Sequence, residues 1–185
     1  RTLQGGGIRV QGSGIRDYER RNEKTCLALI ENLNPKIMHH TEGMLKPESF
    51  KGKTILITGG GTGLGRSMGK YLLQLGANLV ISSRKKEVID KTAGELMKET
   101  DGKVLAVACD IRKYDEVENV IRSAEAEFGQ LHGVLNNAAG NFISPTERLS
   151  HRAFDIVVDI VLRGTYYMTL AAGKNWIAKK QPGTF

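Results

Sequence analysis

The residues that could do chemistry stand at four places along the 185-residue chain. The first is Thr58-Gly59-Gly60-Gly61-Thr62-Gly63-Leu64-Gly65. It follows the apolar run Thr54-Ile55-Leu56-Ile57 and opens a helical pattern with Leu64, Met68, Leu72 and Leu75 on one face. Glycines where a strand gives way to a helix let bare backbone N–H groups approach a phosphate, aided by the positive end of the helix dipole. In that arrangement Gly59 suits the tight turn, Gly63 the approach of a diphosphate, and Gly65 close packing of helix on strand. The other three places are Ser83-Arg84-Lys85-Lys86, Asp110, and Asn136-Asn137-Ala138-Ala139-Gly140. Each ends a short apolar run.

A dinucleotide with a free ribose 2′-OH is usually held by an acidic residue after the second strand. Here no carboxylate appears before Glu87. The Arg84 guanidinium suits a 2′-phosphate instead, with Ser83 as an added hydroxyl donor. The expected cofactor is therefore NADP(H) rather than NAD(H). Asp110 can accept from an adenine amino group and cap the helix after it. The small residues around Asn137 let the chain lie against the cofactor, and Asn136 can tie neighbouring strands together.

Regular elements must carry these groups. The pattern predicts strand 54–58, helix 63–75, strand 78–83, helix 85–100, strand 104–109, helix 113–128 and strand 133–136. A long helix comes next, from Ser150, a suitable N-cap, towards Lys180. Gly76 and Gly129 close two of the helices. Strand–helix alternation of this kind predicts an α/β fold, a doubly wound parallel sheet of Rossmann type, here with four strands. Ligands on such sheets sit beyond the carboxyl ends of the strands. Thr58, Ser83, Asp110 and Asn136 all fall there.

Residues 1–43 read differently. They begin with Arg, are glycine-rich at the start, and show a periodic stretch only over Asn22–Asn32, a possible short helix that would bring the helix count to five. Met44 is the expected natural start, with a disordered leader or upstream extension before it. Arginines there resemble a mitochondrial transit segment, but Asp17, Glu19, Glu23 and Glu31 argue against one. Residues 44–185 form the expected domain. The net charge is +7, yet no basic stripe with interleaved aromatics is present, which weighs against nucleic acid and leaves phosphate-bearing small ligands. No run approaches the roughly 20 apolar residues of a membrane span. Cys26 and Cys109 match no metal-ligand spacing, and the His39-His40 pair, which could bind a metal, reads instead as a solvated pair.

The spacing Thr-Gly-x-x-x-Gly-x-Gly, with the motifs after it, resembles the short-chain dehydrogenase/reductase family from Lys51 to Lys180. Asn137 to Ser150 resembles more narrowly the 2,4-dienoyl-CoA reductases, of mitochondrial type and their bacterial relatives. The resemblance implies that Gly59 to Gly65, Arg84, Asp110 and Asn137 hold NADPH. It implies that Asn141 hydrogen-bonds the thioester carbonyl or its dienolate, and that Arg84, Arg112, Phe142 and Ser150 contact an acyl-CoA. It further implies reduction of a conjugated dienoyl-CoA to an enoyl-CoA in unsaturated fatty acid breakdown, by a homotetramer of the bacterial cytoplasm or the mitochondrial matrix. Another short-chain reductase, such as one acting on 3-oxoacyl thioesters, or a non-catalytic nucleotide-binding fragment, is the alternative.

Two departures bear on this. Aligned on Gly164, Val161 stands where the wider family carries an Asn of its proton relay; the dienoyl-CoA reductases share that loss. A plain core role for Val161 is the simpler reading. The family's Tyr-x-x-x-Lys pair is absent: Tyr18, Tyr71, Tyr114, Tyr166 and Tyr167 are followed four residues on by Asn, Leu, Glu, Leu and Ala. Tyr166 and Tyr167 read as packing residues. The expectation is a C-terminally truncated chain with little or no turnover by itself.

Overall fold

The computed structural model describes residues 45–185. The expected helix over Asn22–Asn32, Cys26 and the His39-His40 pair lie outside the described residues. Four parallel strands, β1 (Thr54–Thr58), β2 (Asn78–Ser83), β3 (Val104–Ala108) and β4 (Gly133–Leu135), form one sheet in the order β3-β2-β1-β4. Between them run α1 (Gly63–Gln74), α2 (Lys86–Thr100) and α3 (Tyr114–Phe128). After β4 come a single 3₁₀ turn at Thr146–Arg148, α4 (His151–Val158), a wide π-turn at Asp159–Arg163, and α5 (Gly164–Lys179).

β1 is buried along its whole length, so both faces of the sheet are covered, as its unbroken apolar run requires. The period of two sorts its side chains between two cores. Leu56, with Val80 and Val134 beside it in register, faces α3 and α5 through Val117, Val120, Met168 and Trp176. Ile55 and Ile57, with Leu79 and Ile81, face α1 and α2 through Leu73, Ile89 and Leu96. Each fully buried Leu, Ile or Val adds about 1.5–3 kcal/mol to the folded state. The chain builds outward from β1 to β3, then returns to place β4 on the other side of β1. The strand order therefore reverses between β1 and β4, and a crevice opens there at the carboxyl ends.

The described edge beyond β4 is met by one residue. The Val134 N–H donates to the Thr184 carbonyl at 3.0 Å, and the Thr184 N–H to the His132 carbonyl at 3.1 Å.

Four expectations change. The buried face of α1 is Gly65, Gly69 and Leu73, whereas Leu64, expected on the apolar face, is 77% exposed. A side chain at Gly69 would come within 2.8 Å of Leu79 Cδ2, so the bare glycine face is what lets α1 reach the sheet. The long helix after Ser150 is interrupted by the π-turn, and Val161, in that turn, is 43% exposed rather than core. Tyr166 is 57% exposed; only Tyr167 packs, edge-on to Tyr114 with ring centroids 5.4 Å apart. The helical stretch His151–Lys179, π-turn included, is long and apolar enough to cross a membrane by length and composition. It instead lies on the sheet through Met168, Ala171, Ala172 and Trp176, and on α3 through Glu125, which accepts from Asn175 Nδ2 and Lys179 Nζ at 2.7 Å each.

Candidate functional site at the strand carboxyl ends

The crevice is a cleft of about 520 Å³ that runs across the carboxyl ends of all four strands. Of the glycine loop, Gly59, Gly61, Thr62, Gly63, Leu64 and Gly65 line it. Gly60 does not; it packs against β2, where a side chain would stand 2.6 Å from Ile81 Cγ2. Gly59 and Gly63 have φ of +67° and +51°, the left-handed region that glycine enters without strain. A methyl group on Gly65 would strike the Gly59 carbonyl and lie 2.7 Å from Asn137 Nδ2. Thr62 sits at the N-cap of α1 but makes no capping bond, and the first turn holds no acidic residue. The N–H groups of that turn, which no side chain caps, therefore suit an anion.

Thr58 and Asn137 stitch β1 to β4 under the cradle. Thr58 Oγ1 accepts from the Asn137 and Ala138 N–H groups, both at 3.0 Å. Asn137 Nδ2 donates to the carbonyls of Thr58 at 3.0 Å and Gly59 at 3.3 Å. The strand-tying role expected of Asn136 thus belongs to Asn137. Asn136 instead donates from Nδ2 to Thr169 Oγ1 on α5, at 3.2 Å. β4 ends at Leu135, and past the last ladder residue neighbouring side chains take different directions.

At the end of β2, Ser83, Arg84 and Lys85 line the cleft. Arg84 forms no ion pair among the described residues, whereas Lys86 is held by Asp90 at 2.7 Å on its own helix. Ser82 also lines the cleft, buried, and its Oγ has no hydrogen-bond partner among the described residues.

Asp110 lines the cleft at the end of β3. It does not cap α3, whose N-cap is Lys113. Its carboxylate instead receives Arg112: the backbone N–H at 3.1 Å and Nε at 2.9 Å on Oδ1, and Nη2 on Oδ2. The Asp110 N–H donates to Glu116 Oε2 at 2.7 Å. Arg112, hydrogen-bonded to it, holds the Asp110 carboxyl below the usual carboxylate range, with burial opposing and the Arg84 charge assisting. Cys109 beside it is buried, and burial pushes its thiol up to about 12.

The residues expected on the substrate side are placed differently. Asn141, Phe142 and Ser150 belong to an exposed segment between β4 and α4 and do not line the cleft. Phe142 is 47% exposed, and the Asn141 side chain has no hydrogen-bond partner among the described residues. Ser150 caps α4, its Oγ accepting from the Ala153 N–H at 3.2 Å. Arg112 lies behind Asp110, outside the cleft lining.

Sequence reasoning missed Ile111 and Ile160, which close the cleft with Ala138. Ile160 comes from the π-turn and packs over Gly140, where a side chain would lie 2.8 Å from its Cδ1. Ile111, next after Asp110, could have been found from its neighbour.

A nicotinamide dinucleotide fits these residues: the cradle admits no Cβ at Gly65, the first turn of α1 is uncapped, and buried Ser82 lacks a partner among the described residues. Residues 53–184 match the sequence profile of the short chain dehydrogenases. The chain belongs to that family, an oxidoreductase family whose fold binds a nicotinamide cofactor. Its curated relatives include a probable 2,4-dienoyl-CoA reductase of Bacillus subtilis, 37% identical over 71% of this chain and 51% of its own. Another is the probable 2,4-dienoyl-CoA reductase 3 of Caenorhabditis elegans, 41% identical over 74% of this chain and 45% of its own. Among solved structures, the citronellol catabolism dehydrogenase of Pseudomonas aeruginosa superposes with a TM-score of 0.70 at 34% identity, over 77% of this chain and 58% of its own. The chain spans about half the length of the curated relatives it matches.

Proposed function

We propose that this chain is the cofactor-holding part of an NADPH-dependent reductase acting on 2,4-dienoyl-CoA thioesters in unsaturated fatty acid breakdown. One observation carries the cofactor choice: the cleft flank at the end of β2 presents Arg84 and Lys85, with no carboxylate on that flank. A guanidinium with no ion pair among the described residues, beside a hydroxyl, fits a ribose 2′-phosphate. Gly59, Gly61, Thr62, Gly63, Leu64 and Gly65 would hold the diphosphate, with Gly60 keeping the loop against β2. Asp110, Ile111, Ala138 and Ile160 would enclose the adenine. When bound, the nicotinamide would supply the hydride.

For the substrate, the reading rests on kinship with proteins named dienoyl-CoA reductases and on the Asn141-Phe142 pair. Asn141 Nδ2 would donate to the thioester oxygen as negative charge develops there. Phe142 would lie along the acyl chain, and Ser150 would stand beside the pantetheine. Arg84 would serve both ligands. The proton donor to the product would come from the whole protein, because no Tyr-x-x-x-Lys pair occurs in these residues. The exposed apolar stripe of Leu162, Tyr166 and Ile177 favours assembly, as a homotetramer in the whole enzyme. A bacterial cytoplasm or a mitochondrial matrix would supply NADPH and acyl-CoA together.

The test is a fluorescence titration of this chain with NADPH and NADH. NADPH should bind at least about tenfold more tightly, the worth of one charge-assisted contact. Tighter binding of NADH would overturn the cofactor choice. Competition between 2,4-hexadienoyl-CoA and a 3-oxoacyl-CoA for the chain loaded with NADP⁺ would separate the proposed substrate from its rival.

A further inference from the structure

The glycine loop is tied to α2 as well as to β4. Gly61 sits directly on that helix: a side chain there would lie 3.0 Å from Ile89 Cγ2 and 3.3 Å from Val88 Cγ1. One turn further along α2, Thr92 is buried, and its Oγ1 donates to the Gly61 carbonyl at 2.7 Å. A helical threonine ordinarily turns that hydroxyl to a carbonyl of its own preceding turn. Here the donor reaches across to the loop, and it fixes one peptide. No cis peptide occurs among the described residues, and in a planar trans peptide the N–H points opposite the C=O. With the Gly61 carbonyl turned to α2, the Thr62 N–H is turned away from that helix. It has no protein acceptor among the described residues, and Thr62 lines the cleft.

We infer that Thr92 is a positioning residue for the cofactor's diphosphate, acting through the Gly61–Thr62 peptide. The inference rests on the reading of the loop as a dinucleotide cradle. Glycine lets the peptide that follows it rotate with little steric penalty. A rotated peptide would present the Gly61 carbonyl oxygen where the diphosphate comes to lie, and negative charge would face negative charge. The Thr92 hydroxyl holds that carbonyl on the α2 side before any ligand arrives, so the ordering is not left to binding. Thr92 itself does not line the cleft, whereas Arg84 does. Its effect therefore falls on the diphosphate and not on the ribose 2′ position.

Fluorescence titration of Thr92→Val and Thr92→Ser tests this. Thr92→Val keeps the shape and removes the donor. It should weaken NADPH and NADH by the same factor, about tenfold, the size of one hydrogen bond to a charged group. The ratio of the two affinities should stay within about twofold of the native ratio. The affinity for 2′-AMP, which carries the 2′-phosphate but no diphosphate, should also stay within about twofold, read by displacement of NADPH. Thr92→Ser retains the hydroxyl and should restore most of the dinucleotide affinity. Melting temperatures of the free chains check that each variant is folded; if Thr92→Val is not, Thr92→Ser against Thr92→Ala, which differ by the hydroxyl alone, carries the test. An NADPH affinity of Thr92→Val within twofold of the native one, a loss confined to NADPH, an equal loss for 2′-AMP, or no rescue by Thr92→Ser would each overturn the inference. If the unaltered chain bound neither dinucleotide, the cradle reading would fall first and this one with it.

Discussion

The glycine-loop side of the crevice and the segment that follows the β4 exit are built unlike each other. On the side of the glycine loop, backbone and side chains are fixed to one another: Thr58 Oγ1 accepts two N–H groups of the β4 exit, and Asn137 returns two bonds to the β1 exit. The segment between β4 and α4, which carries Asn141 and Phe142 outside the cleft lining, is exposed. Its internal order comes from the short turn at Pro145–Leu149 and the Ser150 cap. The dinucleotide side is preorganised by this chain's own contacts. The Asn141 segment lies outside the cleft lining and has few contacts to hold it. A group whose position depends on little else can be moved without loss of fold, whereas the cradle cannot.

The sharpest way to break that contrast is Gly65→Ala. The new methyl would strike the Gly59 carbonyl and crowd Asn137 Nδ2. Overpacking of this kind costs roughly 1–3 kcal/mol, and here it falls on the cradle itself. The expected outcome is a lower melting temperature together with loss of NADPH binding by about a hundredfold, the upper end of that range. Gly94→Ala, on α2, is its control, since open space surrounds that Cα. Native binding by Gly65→Ala would mean that the loop is not rigid.

Next in size is Thr58→Val, which keeps the shape and removes one acceptor. Two N–H groups, of Asn137 and Ala138, lose their partner at a site where Thr58 is buried. An orphaned buried donor costs roughly 1–3 kcal/mol. Chemical denaturation should show a loss of about 2 kcal/mol, with weaker NADPH binding alongside it. An unchanged denaturation midpoint would show that water or a shifted carbonyl replaces Oγ1.

A smaller effect is expected at the rim. Arg84→Glu places a carboxylate where the 2′-phosphate would lie, without altering the sheet. Titration should show NADPH weakened by about tenfold or more and NADH strengthened, so that the preference inverts. Equal loss of both cofactors would mean that Arg84 serves packing rather than discrimination.

How much of this could be read from the residues divides along the same line. The four strands were legible because each is a short apolar run ended by a polar or glycine residue, and the sheet buries both faces. The loop was legible because glycine at Gly59, Gly63 and Gly65 has few other uses at such spacing. The inward face of α1 was not, because the residues turned to the sheet are Gly65 and Gly69, which add nothing to an apolar count. Neither was the π-turn: the period of the long helix continues through Asp159–Arg163, and one wider turn leaves no mark in residue type. The Asn136–Asn137 exchange turned on a strand ending one residue earlier than expected. The Asp110–Arg112 pairing depends on a non-helical turn that brings residues two apart together, and spacing alone does not report it.

The smallest expected effect completes the contrast and is its most direct probe. Asn141→Ala removes a side chain that is exposed and has no hydrogen-bond partner among the described residues. Substitutions at such sites usually change stability by no more than about 0.5 kcal/mol. The melting temperature and the NADPH affinity of the chain should therefore stay as they are. If Asn141 serves the thioester oxygen, the affinity of the NADP⁺-loaded chain for 2,4-hexadienoyl-CoA should fall only slightly. A neutral carbonyl in the ground state gains little from the donor, and the gain grows as negative charge develops. A marked loss of stability on Asn141→Ala would show the segment to be anchored after all, and the two regions would then differ in exposure but not in order.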